Sequence, residues 1–453
     1  MKRLKRLTPF AGTCSDGAPT SPVNLHNSGS SAISIEKMIL RTSKIIIFFF
    51  LFFLYHYNSN LAFCSNKHFL SVKNDKIVNE TGREVKEVKL RGIQIDFGSI
   101  RGDIYSYPGN NKKLENFFDM MLDYVITEDD FRNIRDMGAN MIRLSLSTYK
   151  DFEHDTNPFT YREKNFKRLD RLIKWAGKYR LYIIMSMRQS PGGHNSTPHS
   201  GNKGLNKLWT NREYQRRLIV LWKTIALRYA RDPVIAGYDL LNEPDAPDKE
   251  VFNKVYREIT KGIREVDDKH IIFLEGNLWA KNLDWIQSPL DTNTALSIHF
   301  YEPGIYIEGE GTYPSKIRGN IFDQQALRRR LKKRVVPGQL LNRPVWVGEF
   351  GAMTKADNYL KYDQDVIHLL EELNLHWTYW NYKNLRGKPD TQAIYYSTPN
   401  NKFIRLISKI KKSKRTFSSF TKQNLREALE FLQTVNFSEK HQLKELLTEF
   451  YCF

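Results

Sequence analysis

Eight short runs rich in β-branched and aromatic residues recur between positions 88 and 381, each separated from the next by a stretch long enough for a helix. They are VKLRGIQI at 88–95, NMIRLSLS at 140–147, LYIIMSM at 181–187, VIAGYDLL at 234–241, HIIFLEG at 270–276, ALSIHFY at 295–301, PVWVGEF at 344–350 and LHWTYWN at 375–381. Strands alternating with helices in this rhythm form a parallel sheet wrapped by its helices. Eight such units predict an α/β fold of the (β/α)8 TIM-barrel type with generous loops. An open doubly wound sheet would need a glycine-rich phosphate turn after its first strand, and Asp96-Phe97-Gly98-Ser99 is not one. Helix starts are marked as well: Thr127 with Asp130 three residues on has the form of a capping box before Phe131 and Ile134.

The ends do not share this rhythm. Residues 1–43 are rich in Ser, Thr, Gly, Pro and Asn, and they lead into the apolar run IIIFFFLFFLY at 45–55. Eleven residues fall short of the ~20 that cross a bilayer and suit the hydrophobic region of a signal peptide. Met38 is a more natural start than Met1, with Arg41 and Lys44 as a basic lead and Ala62-Phe63-Cys64 before Ser65 as a small-x-small cleavage site. Residues 1–64 are therefore expected to be a tail with a signal peptide, and the product secreted. The alternatives are an uncleaved signal anchor tethering the protein to a membrane through residues 45–57 and lipidation at Cys64. Residues 411–419 read as a polar linker, and 411–453 as a linker with a short helical extension. In that extension Leu425, Leu429, Leu432, then Leu443, Leu446, Leu447 and Phe450, recur at helical spacing. The barrel is bounded at 65–410.

Composition removes several function classes. The chain carries 70 Lys and Arg against 50 Asp and Glu, a net charge of +20. Its clusters, Lys2–Arg6, Arg328–Arg334 and Lys409–Arg415, lie outside the strand ends and read as solvated faces, so no nucleic-acid partner is expected. The three cysteines, Cys14, Cys64 and Cys452, leave the centre of the chain without a thiol, which excludes a zinc-cysteine site or a cysteine nucleophile there. No metal or organic cofactor is expected, since His299 has no second histidine at ligand spacing. The protein is expected to act as a monomer.

In a barrel of this kind the catalytic groups stand at the C-terminal ends of the strands, and polar residues gather there. The second run carries Arg143 and the third ends in Arg188-Gln189. The fourth ends in Asn242-Glu243-Pro244, the sixth offers His299 and Tyr301, the seventh ends at Glu349, and the eighth presents Trp377, Trp380 and Asn381. Each alone has a structural explanation, but two glutamates at strand ends are hard to explain as core, because an ionised Glu is rarely buried unpaired.

LLNEPDAP at 240–247, VWVGEFGA at 345–352, HFYEP at 299–303, GANMIRLSLS at 138–147 and WTYWN at 377–381 together resemble glycoside hydrolase family 5, the cellulase family, over about residues 88–400. The resemblance implies a retaining glycosidase acting on a β-linked polysaccharide or oligosaccharide, an endoglucanase first of all. It implies Glu243 as acid/base and Glu349 as nucleophile, with Arg143, Asn242, His299, Tyr301 and Trp380 lining the sugar subsite. Arg188 stands where many members carry a histidine, in Met187-Arg188-Gln189-Ser190-Pro191-Gly192. As a fixed cation it is expected to bind sugar hydroxyls or an acidic substituent, the structural alternative being a pair with a loop carboxylate such as Glu213. The alternative functions are a glycosidase directed at a glycolipid headgroup and a catalytically silent carbohydrate-binding barrel.

Overall fold

The computed structural model describes residues 68–97, 112–197, 200, 204–288, 290–317, 319–385, 387–412 and 422–452. The apolar run at 45–55, the expected cleavage site before Ser65 and most of the 411–419 linker lie outside the described residues.

All eight expected strands form. They are β4 (Arg91–Asp96), β5 (Met141–Leu146), β6 (Tyr182–Met187), β7 (Ile235–Asp239), β8 (Ile271–Glu275), β9 (Thr294–Phe300), β10 (Val345–Phe350) and β11 (His376–Tyr379). They pair in that order, all in parallel, and β11 returns to β4 with Trp377 opposite Arg91, so the barrel is closed. Closure leaves no open sheet edge, and residues of every strand are buried from both sides. One glycine is needed for it: a Cβ at Gly237 on β7 would stand 2.1 Å from the Ile271 carbonyl oxygen on β8.

The helices α1 (Lys112–Tyr124), α2 (Glu128–Asp136), α3 (Glu163–Lys178), α4 (Arg212–Tyr229), α5 (Lys249–Arg264), α6 (Gln324–Leu340), α7 (Tyr359–Glu372) and α8 (Lys402–Lys412) surround the sheet. The reading at Thr127 holds, as its backbone N–H donates to Asp130 Oδ2 at 2.7 Å and opens α2. The basic segment Arg328–Arg334 lies on α6, where Arg328 pairs with Glu372, and Arg330 and Arg334 with Glu302. Between β8 and β9 the described residues contain only one short turn, Asn277–Ala280, in place of a full helix.

Two additions frame the barrel. An antiparallel sheet of β1 (Leu70–Lys73), β2 (Lys76–Thr81) and β3 (Glu84–Glu87) puts Leu70 and Ile77 into a small apolar cluster with Leu90, Ile271, Phe273 and Trp346. Leu90 and Ile271 stand at the starts of barrel strands, so this sheet plugs the bottom of the barrel. At the other end of the chain, α9 (Lys422–Glu430) and α10 (His441–Tyr451) bury Leu425, Leu429, Leu432, Leu443, Leu447 and Phe450 against the barrel domain. The Tyr451 ring stacks on Trp377 of β11 with centroids 5.1 Å apart, and its hydroxyl donates to the Gly92 carbonyl of β4 at 2.9 Å. Lys383, buried just beyond β11, donates to the carbonyls of Val125 and Leu432 at 2.6 Å each and to Thr434 Oγ1 at 2.8 Å.

Candidate active site

Arg143 rises from β5 into the barrel with no solvent exposure, and a buried guanidinium has to be neutralised and fully hydrogen-bonded. Asp239 Oδ2 accepts from Nε at 3.1 Å and from Nη2 at 2.7 Å. Nη2 also donates to Glu275 Oε1 at 2.7 Å, Asn242 Oδ1 at 2.8 Å and Ser186 Oγ at 2.9 Å. Nη1 donates to Gln94 Oε1 at 2.7 Å and to Glu349 Oε1. The group lies over the Trp346 ring at 5.5 Å. Five of the eight strands or their ends thus converge on one cation.

Glu349, at the end of β10, is held from both sides, since Tyr301 donates its hydroxyl to the other carboxylate oxygen at 3.0 Å. Burial, with the charges of Glu349 and Glu243, pushes the Tyr301 hydroxyl well above the usual phenol range, so it remains a donor. Glu243 follows β7 in a left-handed conformation, φ +57°, unusual for a residue with a side chain. Its backbone N–H donates to Glu275 Oε2 at 2.7 Å, and its carbonyl accepts from Asn195 Nδ2 at 2.7 Å. One oxygen of Glu243, one of Glu349 and a ring nitrogen of His299 all lie within 4.8 Å of one another.

His299 Nδ1 meets Glu243 Oε1 at 3.0 Å and stands 3.6 Å from Glu349 Oε2, while Nε2 is 3.3 Å from Glu275 Oε1. Burial opposes a charge on this ring, but Glu275, Glu349 and Glu243 outweigh it and raise its pKa to about 10. Burial likewise raises the Asp239 carboxyl, helped by the adjacent Glu275 and only partly offset by Arg143. For Glu275 burial is overcome by His299 and Arg143, which hold it below the usual carboxylate range. Two cations are thereby shared among four carboxyl groups. A His and two Glu can ligate a divalent ion, but here each Glu349 oxygen already accepts a hydrogen bond, one of them from a guanidinium.

The remaining expected residues also arrive. Asn242 has its amide oxygen on Arg143, which leaves the NH2 half as a donor, and its backbone carbonyl meets His194 Nε2 at 2.5 Å. Trp380, just past β11, donates its backbone N–H to the Phe350 carbonyl beside Glu349 at 3.0 Å. Its buried indole Nε1 has no partner among the described residues. Arg188 pairs with Asp96 at the end of β4, and Glu213 instead pairs with Arg216, so the loop-carboxylate alternative is corrected to a strand-end one. Asp96 is itself wholly buried, and the charges of Glu349 and Glu243 also act on Arg188.

Several participants were missed in the sequence, among them Gln94, Asp96, Ser186 and Trp346 as well as the four that follow. Asp239 and Glu275 sit within strands where a lone acidic residue resembles an ordinary polar position. His194 and Asn195 lie in a long loop whose path no pattern fixes.

The residue pattern of the family described as Cellulase (glycosyl hydrolase family 5) matches residues 103–386. The chain is 30% identical over 346 residues to a β-xylosidase of Phanerodontia chrysosporium, covering 70% of this chain and 71% of that one. It is 27% identical over 302 residues to endoglucanase C of Acetivibrio thermocellus, covering 58% of this chain and 85% of that one. The solved structure of endoglucanase Cel5A from Thermotoga maritima shares the fold at a TM-score of 0.51 and 22% identity, covering 75% of this chain and 96% of that one.

Proposed function

The chain belongs to glycosyl hydrolase family 5, and from that premise we propose that it cleaves a β-1,4-linked glucan with retention, by double displacement on Glu349 and Glu243. The observation that carries this reading is the approach of the two carboxyl groups, oxygen to oxygen within 4.8 Å. Retaining sites hold them ~5–5.5 Å apart, whereas inverting sites leave ~6.5–9.5 Å for a water.

In the first step a Glu349 oxygen attacks the anomeric carbon while Glu243 gives its proton to the leaving oxygen, and a glycosyl ester on Glu349 results. In the second, water attacks the same carbon, Glu243 takes the water's proton, and Glu349 is released as carboxylate. Arg143 and Tyr301 aim the nucleophile by fixing one oxygen each. His299, charged below pH ~10, bonds Glu243 in both steps and steadies it as its proton leaves and returns. The NH2 of Asn242 is available to a sugar hydroxyl, and Trp380 offers a ring face to a pyranose.

The endoglucanase relative supports a polymer substrate, and the β-xylosidase relative supports the alternative of a short xyloside. Incubating the full chain with carboxymethyl cellulose, β-1,3-glucan, β-mannan, a glucosylceramide in detergent and aryl β-xyloside separates these. Reducing ends from the first, with the β-anomer appearing first by NMR, are expected; α-anomer first overturns retention, and activity confined to another substrate overturns the glucan. Glu349→Gln is expected to lose nearly all turnover. The run at 45–55 supports export with cleavage before Ser65. N-terminal sequencing of the protein from its host tests this, and an intact terminus in the membrane fraction would establish an anchor.

A further inference from the structure

Glu275 ends β8 with no solvent exposure, yet neither of its oxygens is spent merely on neutralising Arg143. Asp239 already meets that guanidinium twice. Glu275 Oε1 does accept from Arg143, but the same oxygen stands 3.3 Å from His299 Nε2, and Oε2 turns to the backbone N–H of Glu243. A non-glycine residue at φ +57° is strained and persists only where its surroundings hold it. Those surroundings are the loop after β6, through His194 and Asn195, and the end of β8. Beyond Glu275, the Trp279 N–H donates to the Pro244 carbonyl at 3.1 Å, and Asn277 accepts from the Ala246 N–H at 2.7 Å and donates to the Ala246 carbonyl at 3.2 Å. This short turn is itself left-handed at Leu278, Trp279 and Ala280. Tyr256 of α5 fixes the Glu275 carbonyl at 2.9 Å.

We propose that Glu275 is a positioning residue for the acid/base. Its carboxylate holds the Glu243 backbone by a hydrogen bond and faces the His299 ring as a charge pair, in the arrangement from which Glu243 delivers its proton. The proposal rests on the assignment of Glu243 made above and adds a third carboxyl group to the two that react. Glu275 contacts neither Glu349 nor the Glu243 carboxyl, and Asp239 keeps two hydrogen bonds to Arg143 without it, so its removal should weaken proton delivery far more than attack by Glu349.

That separation is what the test reads. kcat/KM is measured for the full chain, Glu243→Gln, Glu275→Gln and Glu275→Asp on 2,4-dinitrophenyl and methyl β-cellobiosides, or the matching xylosides if the substrate screen selects them. The dinitrophenolate leaves unprotonated, whereas the methyl glycoside needs the acid, whose contribution is ~10²–10⁴-fold. Glu275→Gln is expected to lose about 10–100-fold on the methyl glycoside and less than about threefold on the activated one. Glu275→Asp keeps the charge beside Arg143 but falls short of the Glu243 N–H, so it should show the same split even if the Gln variant fails to fold. Equal loss on both substrates, or none, overturns the proposal while leaving Glu243 as acid if Glu243→Gln shows the split. No split in Glu243→Gln overturns the assignment of Glu243, and the role of Glu275 with it.

Discussion

His299 carries a charge that its burial alone would deny it. Its folded pKa, about 10, lies above the ~6.5 of the unfolded chain, so between those values the native state binds one more proton than the unfolded state. The stabilisation is therefore fully present below pH ~6.5 and is lost as pH rises toward 10. Urea unfolding of the wild type and His299→Asn at pH 6, 8 and 10 should show a gap that narrows with rising pH, and a constant gap would contradict the charged ring. Arg188 and Asp96 make a second residue-level case. Removing the cation takes its charge from beside a buried carboxylate, so Arg188→Ala should destabilise by about 3 kcal/mol, and adding Asp96→Asn should restore much of it. Additive losses in that cycle would show that the pair is not coupled. Residues of this kind were legible in the sequence only where two signals met. Glu243 and Glu349 stand at strand ends inside recognisable motifs, whereas Asp239 and Glu275 matter through contacts made across the barrel, between residues 32 to 132 positions apart, which no local pattern encodes.

At the scale of elements, strands were easier to read than their surroundings. A barrel strand is buried on both faces and shows itself as a continuous apolar run, so β4 to β11 were found within a few residues of their ends. The β1–β3 sheet was not, because its strands are short and half exposed, with turns at Asn74-Asp75 and Gly82-Arg83 in a stretch read only as part of the barrel domain. The helical spacing of Leu425 to Phe450 did announce α9 and α10, but not where they dock. Lys383 explains part of that docking. Burial lowers its ammonium to about pKa 8, opposed by Asp130, yet its oxygen partners tie the residues after α9 (Leu432, Thr434) and after α1 (Val125) to the end of β11. Lys383→Met should destabilise on the order of 3 kcal/mol by taking the donor from two buried carbonyls and from Thr434. Hydrogen exchange should show the greatest loss of protection at 422–451, and uniform loss across the barrel would contradict this placement.

The barrel, taken as a whole, is a ring that must be shut. Its first and last barrel strands meet at β4 and β11, and Tyr451 is fastened across that join by a ring stack and a hydrogen bond. Tyr451→Phe removes only the hydrogen bond and should destabilise by about 1–3 kcal/mol. Tyr451→Ala also opens a cavity over Trp377 and should destabilise by about 3–5 kcal/mol. Thermal melts of the two variants check the order, and equal losses would mean that the ring stack contributes nothing. The same fastening sets a timetable for the nascent chain. Gly92 and Tyr451 are 359 residues apart, and at ~5–20 residues per second a ribosome needs roughly 20–70 s to make the second after the first. β4 waits with one flank unpaired until β11 is made, and the join stays unfastened until the tyrosine emerges, so chaperone binding to the growing chain should persist to that point.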